Sequence, residues 1–278
     1  MLTVTCWMRM VVRGITLLAG GLMATASLGV SAQAPGQGMG ALPPQPQGAL
    51  MKENLNKKRT KPPFVLTGNW MWNGQRNRDS GGYQFFPLPK FKPSVQAIYD
   101  EAMATIAAGK AYKNDEGYCW PAGMPESMTR VWPNQTIQLP TMIVMIQMLK
   151  HEIRWIYLDG RSHADPEIKP PSYAGDSIGR YEGDTLVIET VNLQPKHHWV
   201  QSGVPAGPRL KIVERIKLLD GGNTLQNTLT MTDPDSWEGE WTSTKYWYRD
   251  DSVDAEEAFC LPDINDNLLS TRESSQVR

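Results

Sequence analysis

Short apolar runs that alternate with polar residues dominate the chain from residue 136 onward. In such runs every second side chain falls on the same face, which is the pattern of a β-strand with one buried side. The runs are, in chain order, TMIVMIQM, IRWIYLD, SIGRY, TLVIETVNL, LKIVERIKLL, TLQNTLTMT and TSTKYWYR. The connecting segments EGD and DGGN supply residues that tolerate a positive φ, as tight hairpins require. The pattern predicts consecutive antiparallel strands that close into a barrel or pack as a sandwich.

One stretch, between Pro93 and Lys110, has a helical period instead. Ser94 can cap its first turn and Gly109 can end it. Its apolar side chains fall near one face, at Val95, Ile98, Met103 and Ile106. We therefore predict a mostly β fold, an antiparallel meander with one N-terminal helix.

The first 34 residues have the layout of a secretory signal peptide. Arg9 and Arg13 precede an apolar run over residues 14–30, and Ala32-Gln33-Ala34 forms a small-x-small cleavage site. The run is short for a membrane span, although an uncleaved anchor is the alternative. We predict a periplasmic or secreted protein with no stable membrane span after cleavage.

Two segments follow the predicted signal peptide. Residues 35–63 are rich in Pro, Gly and Gln and are predicted to form a flexible linker. Residues 64–278 are predicted to form a single β-barrel domain, and no pattern predicts its oligomeric state.

Export determines how the cysteines are interpreted. Cleavage removes Cys6 and leaves Cys119 and Cys260, an even pair in an oxidising compartment. A disulfide between them would close a loop of about 140 residues and stabilise the fold by about 4–5 kcal/mol in the chain-entropy model. The alternative is two buried free thiols.

Charge and motifs exclude several classes of function. The net charge is −1, and the one basic cluster, NKKRTK, lies in the predicted linker, so no nucleic-acid groove is expected. The chain has no glycine-rich dinucleotide loop, no P-loop and no Gly-x-Ser-x-Gly elbow. These absences argue against nucleotide-dependent enzymes and α/β-hydrolases, and we predict no cofactor.

Strand alternation places three charged residues among apolar neighbours. Glu214 shares a face with Ile212 and Ile216, Glu189 with the valines of its strand, and Arg154 with Ile156. Charges on apolar faces are costly unless they are paired or used. They form either a buried ion pair or an outward-facing row, or a polar patch that orients a ligand and transfers a proton.

Two loops carry further candidates. YLDGRSHADP places Asp159, Arg161 and His163 directly after a strand, which favours anion recognition or proton transfer, with ordinary loop hydrogen bonding as the alternative. PKHHWV places His197 and His198 side by side before Trp199. Adjacent side chains in extended backbone point in opposite directions, so only one imidazole should face a cavity. The His-x-His spacing of a metal centre is absent, and no metal is predicted.

The chain resembles a family of exported bacterial proteins of largely unassigned function. The resemblance covers residues 119–260 and rests on CWPAGMP, IRWIYLDGRSH, SIGRYEGDTLVIET and VERI. It supports the pairing of Cys119 with Cys260 and departs from the family in the stretch around KHHWV. It implies importance for Asp159, Arg161, Ser177, Glu182, Asp184, Glu189, Glu214 and Arg215.

A second resemblance is to lipocalin-type barrels, whose first strand carries Gly-x-Trp. Gly68-Asn69-Trp70 stands at the start of the predicted ordered region, although the later Thr-Asp-Tyr motif is replaced by Thr232-Asp233-Pro234. This resemblance implies that the meander closes as a lipocalin-like barrel.

Two functions remain open. One is an exported lyase- or isomerase-like enzyme that performs cofactor-free acid/base chemistry (elimination, hydration or isomerisation) on a small apolar or aromatic compound. The other is a periplasmic binding or carrier protein with the same pocket and no turnover. The candidate catalytic residues are His197, His198, Glu189 and Glu214. The candidate ligand-binding residues are Arg154, Asp159, Arg161, His163, Trp70, Trp155 and Trp199.

Overall fold

The computed structural model describes residues 47–110, 112, 115–150, 152–254, 256, 258 and 260–261. The predicted signal peptide lies outside the described residues, as does the first part of the predicted linker. Residues 47–63 of that linker contain a short helix, α1 (Lys52–Leu55), in which Asn54 is buried. Asn54 Nδ2 donates a hydrogen bond to Asp159 Oδ2 at 2.9 Å. This part of the linker therefore contacts the domain that follows it.

Thirteen strands lie in the described part of the chain. They are β1 (Gly68–Trp72), β2 (Lys90–Phe91), β3 (Asn134–Gln138), β4 (Met142–Gln147), β5 (Ile153–Tyr157), β6 (Asp176–Glu182), β7 (Thr185–Val191), β8 (Trp199–Gln201), β9 (Val204–Pro205), β10 (Lys211–Leu219), β11 (Thr224–Thr232), β12 (Trp237–Glu238) and β13 (Trp241–Arg249). Nine of them close into a barrel in the order β1-β13-β11-β10-β7-β6-β5-β4-β3. The other four form two short pairs, β2 with β12 and β8 with β9. The predicted mostly β closed barrel is confirmed.

Helices are few and short. Besides α1, the described residues form α2 (Gly74–Arg78), α3 (Pro93–Ala107) and 3₁₀ turns at Asp115–Tyr118, Glu126–Thr129 and Asp220–Gly222. The helix predicted from the sequence is α3, but it begins at Pro93 with Lys92 in the N-cap position and no side-chain cap. The predicted capping by Ser94 is wrong, because the helix begins one residue before Ser94, which lies inside its first turn. Proline at the first helical position has no N–H that would need a partner. No helix of the described residues is long and apolar enough to cross a membrane.

One junction of the barrel is parallel. Strands β5 and β6 pair in parallel through only two register positions, Ile156 with Ser177 and Tyr157 with Ile178. Parallel neighbours need a crossover connection rather than a tight turn, and residues 158–175 provide it. The other neighbouring strands of the barrel are antiparallel. At the tip between β6 and β7, Gly183 has φ 59°, as expected from the EGD turn.

The barrel interior is mainly apolar. Alternate residues of each strand point inward, so that Ile212 and Ile216 of β10 are fully buried as the pattern predicts. The largest buried side chains of the core include Trp70, Phe85, Met124, Ile143, Ile156, Leu186, Ile188, Trp237 and Trp241. This core surrounds a small set of polar groups.

A buried polar network crosses the inner wall from β5 to β11. The Arg154 guanidinium forms an ion pair with Glu214 and donates hydrogen bonds to Ser177 Oγ at 3.2 Å and Thr190 Oγ1 at 2.8 Å. Asn227 Nδ2 donates to the other oxygen of Glu214 at 2.8 Å. The network joins five neighbouring strands, including both strands of the parallel junction. Of the predicted alternatives for Arg154 and Glu214, the buried ion pair is the one that the structure contains.

The inner face of β13 carries a buried lysine. Lys245 Nζ donates hydrogen bonds to the carbonyl oxygens of Ser80 at 2.7 Å, Gly82 at 3.0 Å and Gln84 at 2.5 Å. Burial lowers its pKa to about 8. Its three N–H donors therefore hold the segment after α2 against the barrel.

Removing Arg154 should destabilise the protein strongly. We expect Arg154→Met to lower the free energy of unfolding by about 3–5 kcal/mol, because it leaves the Glu214 carboxylate buried without its partner. The double variant Arg154→Met/Glu214→Leu should recover most of that loss, since no unpaired charge remains. Urea unfolding of the three proteins measures both effects. If the double variant were less stable than Arg154→Met, the buried charge would not be the cause.

Candidate functional site

A cavity of about 250 Å³ lies between α3, the first two 3₁₀ turns and the loop that follows β7. Unlike the mainly apolar barrel interior, it has walls rich in charged side chains. The lining residues are Ile106, Tyr112, Asp115, Glu116, Pro121, Glu126, Arg130, His197, Trp199, Ser202 and Gly203. We call this space the mouth cavity.

A disulfide bridge fixes one wall of the mouth cavity. Cys119 and Cys260 are bonded, as the sequence predicted. Cys119 directly follows the 3₁₀ turn that carries Asp115 and Glu116. The bridge therefore ties the end of the described chain to the segment that supplies two of the carboxylates of the cavity.

Asp115 holds two rings of the PKHHWV segment. Trp199 Nε1 donates a hydrogen bond to Asp115 Oδ2 at 2.5 Å. His197 Nδ1 lies 3.6 Å from Asp115 Oδ1, and its ring stacks on Trp120 with centroids 4.4 Å apart and an interplanar angle of 5°. The carboxylate and the indole hold the imidazole against the cavity wall.

Two carboxyl groups share one guanidinium on the other wall. Arg130 Nη2 lies 2.5 Å from Glu116 Oε1 and 2.6 Å from Glu126 Oε1. One positive charge can neutralise only one of the two carboxylates. Burial raises the pKa of Glu126 to about 8, and the neighbouring Glu116 adds to this rise while Arg130 opposes it. Burial would lower the pKa of Arg130, but the two carboxylates raise it. Burial therefore favours the protonated form of Glu126 on the cavity wall, against the pull of Arg130.

His198 does not line the mouth cavity, so only one of the two adjacent imidazoles faces it. The backbone here is not extended as predicted, because His197 lies in a turn with φ 54°. Its Nδ1 lies 2.6 Å from the carbonyl oxygen of Gln194, which can only accept, so Nδ1 carries the proton. Burial lowers the pKa of His198 to about 4, and backbone contacts with Gln194 and Met124 offset this only in part. The ring lies so close to Gly123 (φ 66°) that a Cβ there would stand 2.7 Å from Nε2. His198 is a neutral packing group rather than a cavity residue.

The other predicted catalytic residues lie elsewhere. Glu214 is inside the barrel with Arg154. Glu189 is on the outward face of β7, where its Oε1 lies 3.1 Å from His163 Nε2 and its Oε2 lies 2.6 Å from Lys211 Nζ. His163 Nδ1 lies 2.9 Å from Asp176 Oδ2. The structure therefore brings Glu189 together with His163 but not with either adjacent histidine.

The remaining predicted ligand-binding residues do not line the mouth cavity. Arg161 forms an ion pair with Asp159 at 2.6 Å, and its Cζ lies 3.9 Å from the ring centroid of Tyr157. Burial raises the pKa of Asp159, but hydrogen bonds from Arg161 and Asn54 bring it down to about 2. This loop is engaged in its own hydrogen bonds, which is the alternative that the sequence left open.

The predicted tryptophans are divided among three environments. Trp199 lines the mouth cavity. Trp70 is buried in the core and donates from Nε1 to the carbonyl oxygen of Leu66 at 2.9 Å. Trp155 is 46% exposed on the outer face of the barrel. Only one of the three can contact a ligand in the mouth cavity.

The sequence analysis did not predict the charged residues around Cys119 as part of a site. Asp115, Glu116, Glu126 and Arg130 lie in DEGYCWPAGMPESMTR, which has neither the period of a strand nor that of a long helix. The available signal was the density of acidic residues beside a cysteine that was predicted to be bridged. Among the described residues, no group of three or more His, Cys, Asp and Glu side chains is placed to hold a metal ion.

Comparisons with known proteins do not assign the chain to a family. No protein-family model matches it, and no curated protein matches it. Among solved structures, it is similar to a mutant of the fluorescent protein UnaG, with 12% sequence identity over 66% of this chain and 95% of that chain and a TM-score of 0.28. The closed barrel is defined by the strand pairing of this chain itself. The resemblance to a family of exported proteins stays a prediction.

The protonated Glu126 should make stability depend on pH. Its pKa is about 8 in the folded protein against an ordinary value of 4.5. Stability from this group is therefore complete below pH 4.5 and is lost as the pH rises through about 8, by on the order of a few kcal/mol. We expect Glu126→Gln to remove this alkaline loss in urea unfolding measured from pH 5 to 9. The control is Glu238→Gln on the surface, and an equal effect there would contradict the assignment.

His198 should act in the opposite direction, on the acid side. Its folded pKa is about 4 against an ordinary value of 6.5, so its contribution is present above pH 6.5 and is lost as the pH falls through about 4. We expect His198→Gln to show a smaller loss of unfolding free energy between pH 6.5 and 4 than the unchanged protein. His163→Gln is the matched control. An unchanged acid loss in His198→Gln would show that this imidazole is not buried in its neutral form.

Proposed function

We propose that the protein is a small-molecule enzyme that performs cofactor-free acid/base chemistry in the mouth cavity. One observation carries the proposal: Glu126, a buried carboxyl group whose pKa is raised by burial, lines the same cavity as the imidazole of His197. A proton donor and a proton acceptor in one space are what elimination, hydration and isomerisation require. Perturbed titration in a cleft is also a general mark of functional sites.

The proposed roles follow from the contacts of each residue. Glu126 serves as the general acid, because burial keeps it protonated. His197 serves as the general base, and Asp115 stabilises the imidazolium that forms. Arg130 stabilises negative charge that develops on Glu126 when the proton leaves, since it already contacts that carboxyl. This set replaces the predicted involvement of Glu189 and Glu214, which lie outside the cavity.

The size and lining of the cavity limit the substrate. A volume of about 250 Å³ is at the small end for ligand sites. Trp199 offers an apolar wall, which agrees with the predicted aromatic or apolar compound, whereas the carboxyl groups select for a polar group on the same molecule. We propose a small, partly apolar substrate with an acidic C–H or a hydroxyl leaving group.

Binding without turnover is the second candidate. The observation that favours it is that Arg130 already contacts both Glu116 and Glu126. Each carboxyl group therefore has a partner before any substrate binds. A carrier would use the same cavity and keep these contacts throughout. For either function, we also propose that the protein works in the periplasm or outside the cell. The N-terminal pattern and the disulfide support this location.

A hydrogen-exchange experiment distinguishes the two functions. Small carbonyl compounds that bind, as detected by a rise in melting temperature, are incubated with the protein in D₂O. An acid/base enzyme should accelerate exchange of the C–H beside the carbonyl, measured by proton NMR. Glu126→Gln and His197→Gln should each slow this exchange by about 10²–10⁴-fold while ligand affinity changes little.

The matched control for that experiment is Glu182→Gln, an exposed carboxylate that contacts Arg180 and Arg215. Exchange should be unchanged in this variant. Binding that shifts the imidazole resonances of His197, without accelerated exchange, would identify a carrier that uses the mouth cavity. Exchange that persists in both cavity variants would exclude Glu126 and His197 as the acid and the base.

A further inference from the structure

A second, narrow cavity reaches the buried guanidinium of Arg154. It has a volume of about 20 Å³ and lies between the segment before β3, the hairpin end of β4 and β5, and the crossover loop before β6. Its lining residues are Gly123, Met124, Ser127, Met128, Met145, Gln147, Glu152, Ile153, Arg154 and Ala174. We call it the methionine slot. It shares none of its lining residues with the mouth cavity, although the segment Gly123–Arg130 contributes to the walls of both.

Arg154 has one nitrogen without a partner. Its Nε and Nη2 are bonded to Ser177, Thr190 and Glu214 on the inner wall. Nη1 is buried, with only 5% of the residue exposed, and has no hydrogen-bond partner among the residues that the structure describes. A buried N–H donor without an acceptor costs about 1–3 kcal/mol. Because Arg154 lines the slot while its other nitrogens face the inner wall, Nη1 is the donor left for a group that enters the slot.

The charges around the slot determine which acceptor fits. Glu214 already neutralises Arg154. At the slot itself, Glu152 accepts hydrogen bonds from the backbone N–H groups of Ala122 at 2.6 Å and Gly123 at 2.9 Å. An anionic ligand would therefore meet the carboxyl groups of Glu152 and Glu214, with Arg154 and, beside Glu152, Lys150 as the opposing charges. A neutral acceptor oxygen would satisfy Nη1 without that repulsion.

The rest of the lining is apolar and adaptable. Met124, Met128 and Met145 contribute unbranched side chains that can move to admit a thin molecule. At the outer end, Ile153 is 44% exposed. It lies on the same outward face as Trp155. Val144 is the cross-strand partner of Trp155, and Ile137 is the partner of Val144 on the next strand. An apolar chain leaving the slot would continue onto this exposed apolar face.

We propose that the methionine slot binds a slim, uncharged apolar molecule that bears one acceptor oxygen, such as a ketone, ester or amide. The oxygen accepts a hydrogen bond from Arg154 Nη1, and the apolar chain lies between the methionines and Ile153. The space present admits a group of about the size of one water molecule, so a longer ligand enters by displacing methionine side chains. This site is separate from the mouth cavity and does not depend on the proposed acid/base function.

The probe for this proposal is 2-hexanone, with hexanoate as a charged compound of the same chain length. Titration of the full chain is followed through the ¹³C-methyl resonances of Met124, Met128 and Met145. We expect 2-hexanone to shift these resonances with saturation in the millimolar range, since a small ligand gains little binding free energy. Hexanoate should bind at least about tenfold more weakly because of the two carboxylates.

Two variants test the site itself. Ala174→Leu fills the slot without touching the buried network, and the affinity for 2-hexanone should fall at least about tenfold. Ala104→Leu, an exposed position of α3, is the matched control and should bind as the unchanged protein does. Arg154→Lys keeps the charge but loses the planar set of N–H donors, and its affinity should also fall. If that variant does not fold, the affinity of Ala174→Leu for 2-hexanone still tests the proposed site.

Several results would overturn the proposal. These are unshifted slot methionines at saturating 2-hexanone, equal affinity for hexanoate, and unchanged binding in Ala174→Leu. In Glu126→Gln the 2-hexanone affinity should be unaffected, because that residue faces the mouth cavity. Failure of the acid/base proposal would therefore leave the slot proposal standing, and the reverse also holds.

Discussion

The barrel depends on how it closes across its one parallel junction. Strands β5 and β6 share only two register pairs, far fewer than β10 and β11, which pair along nine positions. The Arg154 side chain adds the missing connections, because it reaches from β5 to Ser177 of β6, Thr190 of β7 and Glu214 of β10. A flexible apolar side chain could fill the same space, but it could not tie four strands through hydrogen bonds of defined direction. The junction therefore relies on one guanidinium, which also leaves one of its nitrogens without a partner.

The segment from Cys119 to Arg130 organises both cavities. It is anchored at one end by the disulfide and at the other by the contacts of Arg130 with Glu116 and Glu126. Glu126 faces the mouth cavity, whereas Met124 and Met128 face the methionine slot. His198 packs behind the segment against Gly123, where a larger residue would collide. The two adjacent histidines thus have different tasks: His197 lines a cavity, and His198 supports the segment that forms its wall.

The candidate site was predictable in part. Strand alternation grouped Arg154 and Glu214 with apolar neighbours, and of the alternatives left open the buried ion pair is the one that forms. Only one of the adjacent histidines lines a cavity, as expected, but the reason is a turn with φ 54° at His197 and not extended backbone. Glu189 was grouped with apolar neighbours, yet its face is the outer one. Val187 lies on the same outer face and is apolar because other parts of the chain cover it. Periodicity shows which residues share a face but not which of the two faces is the interior. It also gives no information on irregular segments, and therefore Glu126 and Arg130 were not predicted.

The sequence by itself determined seven strands with an alternating pattern, the tight turns between them, the helix α3 and the candidate pair Cys119 and Cys260. The pattern did not predict the other six strands, β1, β2, β3, β8, β9 and β12. The predicted elements follow from interactions between residues close in the chain or, for the cysteines, from the predicted export. Only the tertiary structure decided that β5 and β6 run parallel, which cavity each polar side chain reaches and that the pKa of Glu126 is raised. Each of these outcomes depends on groups far apart in sequence, such as the 60 positions between Arg154 and Glu214. The physical reason is that burial and charge act through space, and a linear pattern records only neighbours along the chain.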